Sequence, residues 1–121
     1  MALRLRLPQR RQTLDFEELT PFEQAVARFN ESEAGQTVCG LVRTLGDPRV
    51  SVGAAAGSDA EVRVTVAWEL SWYQWGVDVG AGESEVHELA KGREIAEIDY
   101  AARQWNAAAT ADGRIVVAVR P

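Results

Sequence analysis

The sequence contains a single cysteine and a single histidine among its 121 residues. Cys39 has no second cysteine with which to form an intramolecular disulfide. Its place beside Val38, in an apolar stripe at helical spacing, favours burial as a small hydrophobic side chain. His87 has no second histidine, and no cysteine lies at metal-ligand spacing from it, so the common zinc sites are excluded. The sequence therefore predicts neither a metal site nor a cofactor.

Long apolar runs and catalytic motifs are also missing. No uncharged apolar run approaches the length of about 20 residues that a membrane helix needs, and arginines interrupt the apolar stretch that a secretory signal would require. We therefore expect a cytoplasmic protein without a membrane partner. The glycines lie between strand signals rather than ahead of a helix, so no phosphate-binding loop is predicted. Because no serine is framed by glycines, there is no support for a nucleophilic triad either, and no catalytic residue is assigned.

Charge is distributed unevenly along the chain. Residues 1–12 carry four arginines and no acid, whereas the remainder carries 9 basic and 18 acidic residues. An acidic body repels phosphate, so a nucleic acid is not an expected partner. Leucine alternates with arginine over residues 3–7, a period of two that is typical of a short half-buried strand. Residues 1–14 are accordingly predicted to form either an edge strand or a flexible arm.

The clearest local signal in the sequence is a helix start. In Thr20-Pro21-Phe22-Glu23, the threonine can cap free amides, proline suits the first helical position, and the glutamate can reach back to the cap. Apolar residues then follow at helical spacing, which predicts a helix over residues 21–31. A second apolar stripe over residues 38–45, with Ser32 as its N-cap and Gly46 as its C-cap, predicts a second helix. The short join between them predicts a helix pair.

The run from Val62 to Val79 is rich in valine and contains three of the four tryptophans. This composition predicts the central strand, or a bent strand pair, of an antiparallel sheet. Alternation at Val50 and Val52 predicts a hairpin partner for it, and a returning strand is expected over residues 84–90. The alternation changes parity in the middle of the run. Either a β-bulge near residues 71–74 keeps one apolar face, or the end of the strand has a second apolar face.

The segment after residue 92 fits two structures. Asp99 suits the N-cap of a short helix over Asp99 to Asn106, which would be followed by a last strand. Asp112-Gly113 equally suits a hairpin turn between two strands within residues 107–119. We favour the short helix. The whole chain is then predicted to be one α+β domain, residues 1–121. In it an N-terminal helix pair packs on one face of an antiparallel sheet of four or five strands, and the short helix precedes the last strand.

Aromatic residues near the change of parity are the candidate binding site. Tryptophan and tyrosine are common at interfaces, where one end of the side chain is dry and the other wet. The leading hypothesis is a small non-catalytic interaction module that forms a homodimer or binds another protein through this aromatic sheet surface. The alternative is a small-molecule binding or enzymatic domain with a pocket lined by the same aromatic residues. The candidate residues are Trp72, Tyr73, Trp75, Asp78 and His87, with Glu69 as a further polar group in the alternative.

Overall fold

The computed structural model describes residues 20–54, 61–79 and 86–117. In chain order its elements are α1 (Pro21–Asn30), α2 (Glu33–Leu45), β1 (Arg49–Ala54), β2 (Glu61–Trp68), β3 (Ser71–Asp78), β4 (Val86–Gly92), two 3-10 turns (Ile95–Glu97 and Tyr100–Ala102), β5 (Ala107–Ala109) and β6 (Ile115–Val117). None of the helices in these ranges has the length and apolar character that crossing a membrane requires. The strand or arm predicted within residues 1–14 lies outside the described residues.

The predicted helix pair is confirmed. The backbone N–H of Glu23 donates to the Thr20 hydroxyl (3.1 Å), and the Thr20 N–H donates to the Glu23 carboxylate (2.9 Å). This reciprocal capping box satisfies two amides that the first turn of α1 would otherwise leave free. Ser32 caps α2 by accepting from the N–H of Gly35 (3.3 Å). A Cβ on Gly35 would lie 2.4 Å from the carbonyl oxygen of Phe29, so glycine allows the two helices to join this closely.

Within the described residues, the strands form one six-stranded antiparallel sheet in the order β4-β3-β2-β1-β5-β6. The predicted α+β class with a helix pair on one face is confirmed, but the predicted number of four or five strands is too low. The difference lies in the hairpin alternative for the last segment, which is the correct one. β5 and β6 pair across a turn in which Gly113 has a positive φ of 87°, and the Thr110 N–H donates to the Arg114 carbonyl (2.8 Å).

The run from Val62 to Val79 is a hairpin of two strands, so the strand pair and not the single central strand is the correct alternative. Glu69 and Leu70 form a two-residue turn, so Trp68 pairs with Ser71 and Val64 with Trp75. Paired residues of antiparallel strands share a face, so the turn itself moves the core positions from even to odd numbers. The bulge expected near residues 71–74 is therefore not the cause of the parity change. A bulge does occur where β3 pairs with β4, between Gln74 and Trp75.

Each face of the sheet is covered differently. The helices cover the first face, where the Phe29 ring meets Trp75 edge-on at 5.2 Å between centroids. The second face is covered by residues 93–106, which we call the cover segment. Within it, Ile98 and Ala102 form a buried cluster with Trp72 of the sheet. Two layers of different construction therefore enclose the central strands.

The helix predicted over Asp99 to Asn106 is present only as a short 3-10 helix, Tyr100–Ala102, because the residues around it bond to the sheet. The side chain of Asp99 pairs with Arg63 of β2 (3.5 Å) and makes no cap. The backbone N–H of Gln104 donates to the Ser51 hydroxyl (3.0 Å). Trp105 has a positive φ of 48°, which is uncommon for a bulky residue and ends any helical path.

Two asparagine side chains make the hydrogen bonds to a strand residue that a neighbouring strand would otherwise make. The Asn106 amide accepts from the Val52 N–H (2.8 Å) and donates to the Val52 carbonyl (2.9 Å). Asn30, the last residue of α1, makes the same pair of bonds with Ile115 of β6, at 2.9 and 3.0 Å. Because a primary amide has one acceptor and donors side by side, it can satisfy both backbone groups of one residue. Each asparagine thus satisfies both the N–H and the carbonyl of one strand residue, Val52 or Ile115.

Candidate functional site

The structure does not bring the three candidate aromatic residues into one lining. Tyr73 and Trp75 lie on the helix face, with their rings stacked at 5.7 Å. Trp75 is buried in the main core and Tyr73 is partly buried against it. Trp72 points to the opposite face and is buried beneath the cover segment. A pocket lined by all three side chains would have to pass through the sheet.

The candidate polar residues Asp78 and His87 lie together at one end of the sheet. His87 Nε2 is 3.1 Å from the Oε2 of Glu61, and Glu61 is opposite Asp78 in the register. The contact between His87 and Glu61 lies over Gly76, where a Cβ would come within 2.6 Å of the Oε2 of Glu61. The main-chain carbonyl of Asp78 accepts from the Arg28 guanidinium (3.3 Å).

Glu69, the remaining polar candidate, lies at the other end of the sheet. It follows Trp68, the last residue of β2, whereas Glu61 is the first. At about 3.3 Å per residue, the ends of this strand are about 23 Å apart. Glu69 therefore cannot share a pocket with His87.

An open groove of about 660 Å³ surrounds the tip of the β2–β3 hairpin. We call it the tip groove. It runs from the C-terminal end of α2, past the turn, to the start of the cover segment, so it touches both layers of the fold. Its lining residues are Leu45, Asp47, Arg49, Ala67, Trp68, Glu69, Leu70, Ser71, Glu94 and Ile95.

Leu70 is the most unusual residue in this lining. Among the non-glycine residues that the structure describes, only Trp105 has a positive φ, so the Glu69-Leu70 turn is not one of the primed types that favour glycine and asparagine. Leu70 is nevertheless 80% exposed, and Leu45 across the groove is 48% exposed. Two large aliphatic side chains thus flank one opening at the end of the sheet. Clustered exposure of this kind marks interaction surfaces more often than a single exposed leucine does.

The tip groove has an apolar floor and a mostly acidic rim. Trp68 is buried and is held by its indole N–H, which donates to the Gly46 carbonyl (2.8 Å). The rim carboxylates belong to three exposed residues, Asp47, Glu69 and Glu94. The only cation in the lining is Arg49, whose guanidinium carbon lies 5.9 Å from the centre of the Trp105 ring. Acidic groups therefore outnumber basic ones in a lining that is about half apolar.

The wall contributed by the cover segment is held by Glu97. One carboxylate oxygen of Glu97 accepts from the Trp72 indole (3.1 Å) and from the backbone N–H groups of Arg93 (3.1 Å) and Glu94 (3.2 Å). The N–H of Glu94, then the Trp72 indole and the N–H of Arg93, stabilise the charged form and lower the pKa of Glu97. A Cβ on Gly92 would lie 2.4 Å from this oxygen. The packing around Glu97 thus fixes where Glu94 and Ile95 meet the groove.

Reasoning from the sequence missed Leu45, Leu70 and Arg49 as surface residues of interest. Leu45 belongs to the apolar stripe of α2, and Leu70 fits the alternation of a continuous strand, so both were expected to point inward. The turn contains no glycine, asparagine or proline that would have revealed it. The chain matches no protein-family model, no curated protein and no solved structure in the comparisons made with them.

Proposed function

We propose that this protein is a small non-catalytic interaction module that self-associates, and that the tip groove is its contact surface. The observation that carries the proposal is the joint exposure of Leu70 and Leu45 around an open groove with Trp68 in its floor. The lining of the groove presents both apolar area and charged groups to a partner. The partner proposed first is a second copy of the chain, because a symmetric dimer needs no other component.

The apolar content of the groove supports a protein partner. Interface centres are enriched in aromatic residues and depleted of charge, while the rim is polar. The tip groove has a comparable distribution, with the buried Trp68 in its lining and the exposed carboxylates of Asp47 and Glu69 at its edge. Covering Leu70 would remove most of its side chain from water, which stabilises a complex by about 1.5–3 kcal/mol.

The test is light scattering coupled to size-exclusion chromatography over a wide range of protein concentration. We expect a concentration-dependent dimer whose association is weakened by Leu70→Glu. The matched control is Leu89→Glu, since Leu89 is an aliphatic residue of β4 that is 41% exposed and lies outside the tip groove. The control should associate like the parent. A strict monomer at all concentrations, or equal effects of the two substitutions, would show that the groove is not a self-association surface.

A second candidate is the binding of a small molecule in the same groove. Its volume of about 660 Å³ lies within the range of about 300–1,000 Å³ that ligand sites occupy. Arg49 and Glu69 would be the polar groups that orient such a ligand above Trp68. This function predicts a monomer whose tryptophan fluorescence changes on ligand addition and whose response is lost in the Leu70→Glu variant.

A further inference from the structure

The charge of the tip groove restricts what can enter it. Asp47, Glu69 and Glu94 line the rim, and the charge of Arg49 lies over the Trp105 ring. An entering segment that carried acids would be repelled, whereas one that carried arginines would pair with the rim. The apolar floor requires that the same segment also carry aliphatic side chains. The preferred occupant is therefore both cationic and apolar.

One segment of this chain has that composition. Residues 1–12 contain all four of the arginines that precede residue 28, and leucines at positions 3, 5 and 7 alternate with arginines at 4 and 6. These residues lie outside the described part of the structure, so the comparison rests on their sequence. In an extended peptide, alternate side chains point to opposite sides. Leucines facing the groove floor would leave the arginines free to meet the acidic rim.

The overall charge of the molecule favours the same occupant. Two copies of the chain each carry a net charge of −5, so their bodies repel one another at long range. Residues 1–12 have a charge of +4, and residues 13–121 contain twice as many acidic as basic residues. This segment is the part of a second copy that the acidic rim attracts.

We infer that residues 1–12 of a second copy bind in the tip groove, so that two chains associate by exchanging these segments. The inference rests on the proposed function, because it names the partner segment of the same surface. The leucines at positions 3, 5 and 7 match the apolar part of the lining, Leu45 and Leu70, in chemistry. The arginines at positions 4 and 6 match the carboxylates of Asp47 and Glu69 in charge.

A charge-swap series on the full-length chain tests this contact. The segment variant carries Arg4→Glu and Arg6→Glu, and the groove variant carries Asp47→Arg and Glu69→Arg. Glu94 is left unchanged because its backbone belongs to the turn that Glu97 holds. Each variant alone should raise the dissociation constant of the dimer by about tenfold or more, and the four substitutions combined should restore association. The control pair, Glu31→Arg and Glu88→Arg, reverses two exposed carboxylates outside the groove and should leave the dimer intact.

Mixing the two variants tests whether the segments are exchanged between chains. In the mixture, the acidic segment of one variant faces the basic groove of the other, and the basic segment of the second faces the acidic groove of the first. A heterodimer with two matched contacts is therefore expected from two chains that associate poorly alone. Circular dichroism of each variant checks that the fold is retained. The parent dimer should also weaken as salt rises, because exposed charges are screened.

The possible outcomes separate this inference from the proposed function. If Leu70→Glu dissociates the dimer but neither charge variant does, the groove is an interface and residues 1–12 are not its occupant. If the combined variant regains the behaviour of the parent but the mixture forms no heterodimer, each segment contacts its own chain and exchange is refuted. If Leu70→Glu has no effect on association, the proposed function itself fails.

Discussion

The amide of Asn30 is expected to stabilise the packing of α1 against the sheet. It holds the N–H and the carbonyl of Ile115 at 2.9 and 3.0 Å. Asn30→Ala removes two hydrogen bonds, each with a net value of about 1 kcal/mol, and exposes two partly buried backbone groups that then lack protein partners. We therefore expect a loss of about 2–3 kcal/mol in the free energy of unfolding.

Asn30→Asp distinguishes the contribution of the accepting hydrogen bond from that of the donating one. The introduced carboxylate can accept from the Ile115 N–H but cannot donate to the Ile115 carbonyl, and at neutral pH its charge faces that oxygen. The folded state then raises the pKa of the introduced carboxyl. Stability relative to the parent should be lowest at neutral pH and should recover as the pH falls through that raised pKa, because the protonated acid regains a donor.

Urea unfolding followed by tryptophan fluorescence measures these changes, since Trp75 contacts Phe29 of the same helix. The matched control is Gln104→Ala, which removes an exposed amide with one long bond of 3.4 Å to the Ala101 carbonyl and should cost less than about 0.5 kcal/mol. A loss below about 0.5 kcal/mol for Asn30→Ala would refute the reasoning. So would a pH dependence of Asn30→Asp with the opposite sign.

Four further substitutions test the packing of the fold, three of them by the same unfolding assay and Gly92→Ala by the resonance of the Trp72 indole. Gly113→Ala should destabilise by more than about 2 kcal/mol, because φ is 87° and the new Cβ would lie 2.4 Å from Cys39 Cα. By contrast, Gly40→Ala in α2, where nothing lies within 4 Å, should stabilise by about 0.5–1 kcal/mol; equal effects at the two glycines would contradict this account. Gly92→Ala should expel the Glu97 carboxylate from its hydrogen bonds, and an unchanged indole N–H resonance of Trp72 would argue against that. Because the folded state lowers the pKa of Glu97 below its ordinary 4.5, the stability that it contributes is present above that pH and is lost as the pH falls through the lowered value. In the Glu97→Gln variant, the free energy of unfolding should therefore fall less steeply on acidification than in the parent. If it falls equally steeply, other groups cause the acid sensitivity.

Features encoded within a few residues could be predicted from the sequence. The capping box at Thr20 to Glu23 involves side chains three positions apart, and its outcome does not depend on the rest of the chain. The apolar stripe of α2 and the alternation of β2 are similarly local. These patterns were sufficient to predict a helix pair on an antiparallel sheet.

Features that depend on distant partners could not be predicted in this way. The predicted helix over Asp99 to Asn106 is shortened to Tyr100–Ala102 because Asp99 pairs with Arg63 and Asn106 bonds to Val52, and neither contact can be inferred from the sequence around residue 100. The tip groove likewise combines Leu45, Leu70 and Ile95, which belong to three separate elements. The position of the turn at Glu69-Leu70 could not be predicted for a different reason, since its residues are not those that turns prefer.

The sheet order also has a consequence for synthesis of the protein. β1 acquires its second neighbour only from residues 106–109, and the bond between Val52 and Asn106 spans 54 positions. At about 5–20 residues per second, the ribosome needs about 3–11 s to make that intervening length. Until residues 106–109 have left the ribosome, one side of β1 has no strand partner among the described strands, and such an open edge invites pairing with other chains. The emergence of Asn106 from the ribosome thus marks the earliest point at which this edge can begin to close.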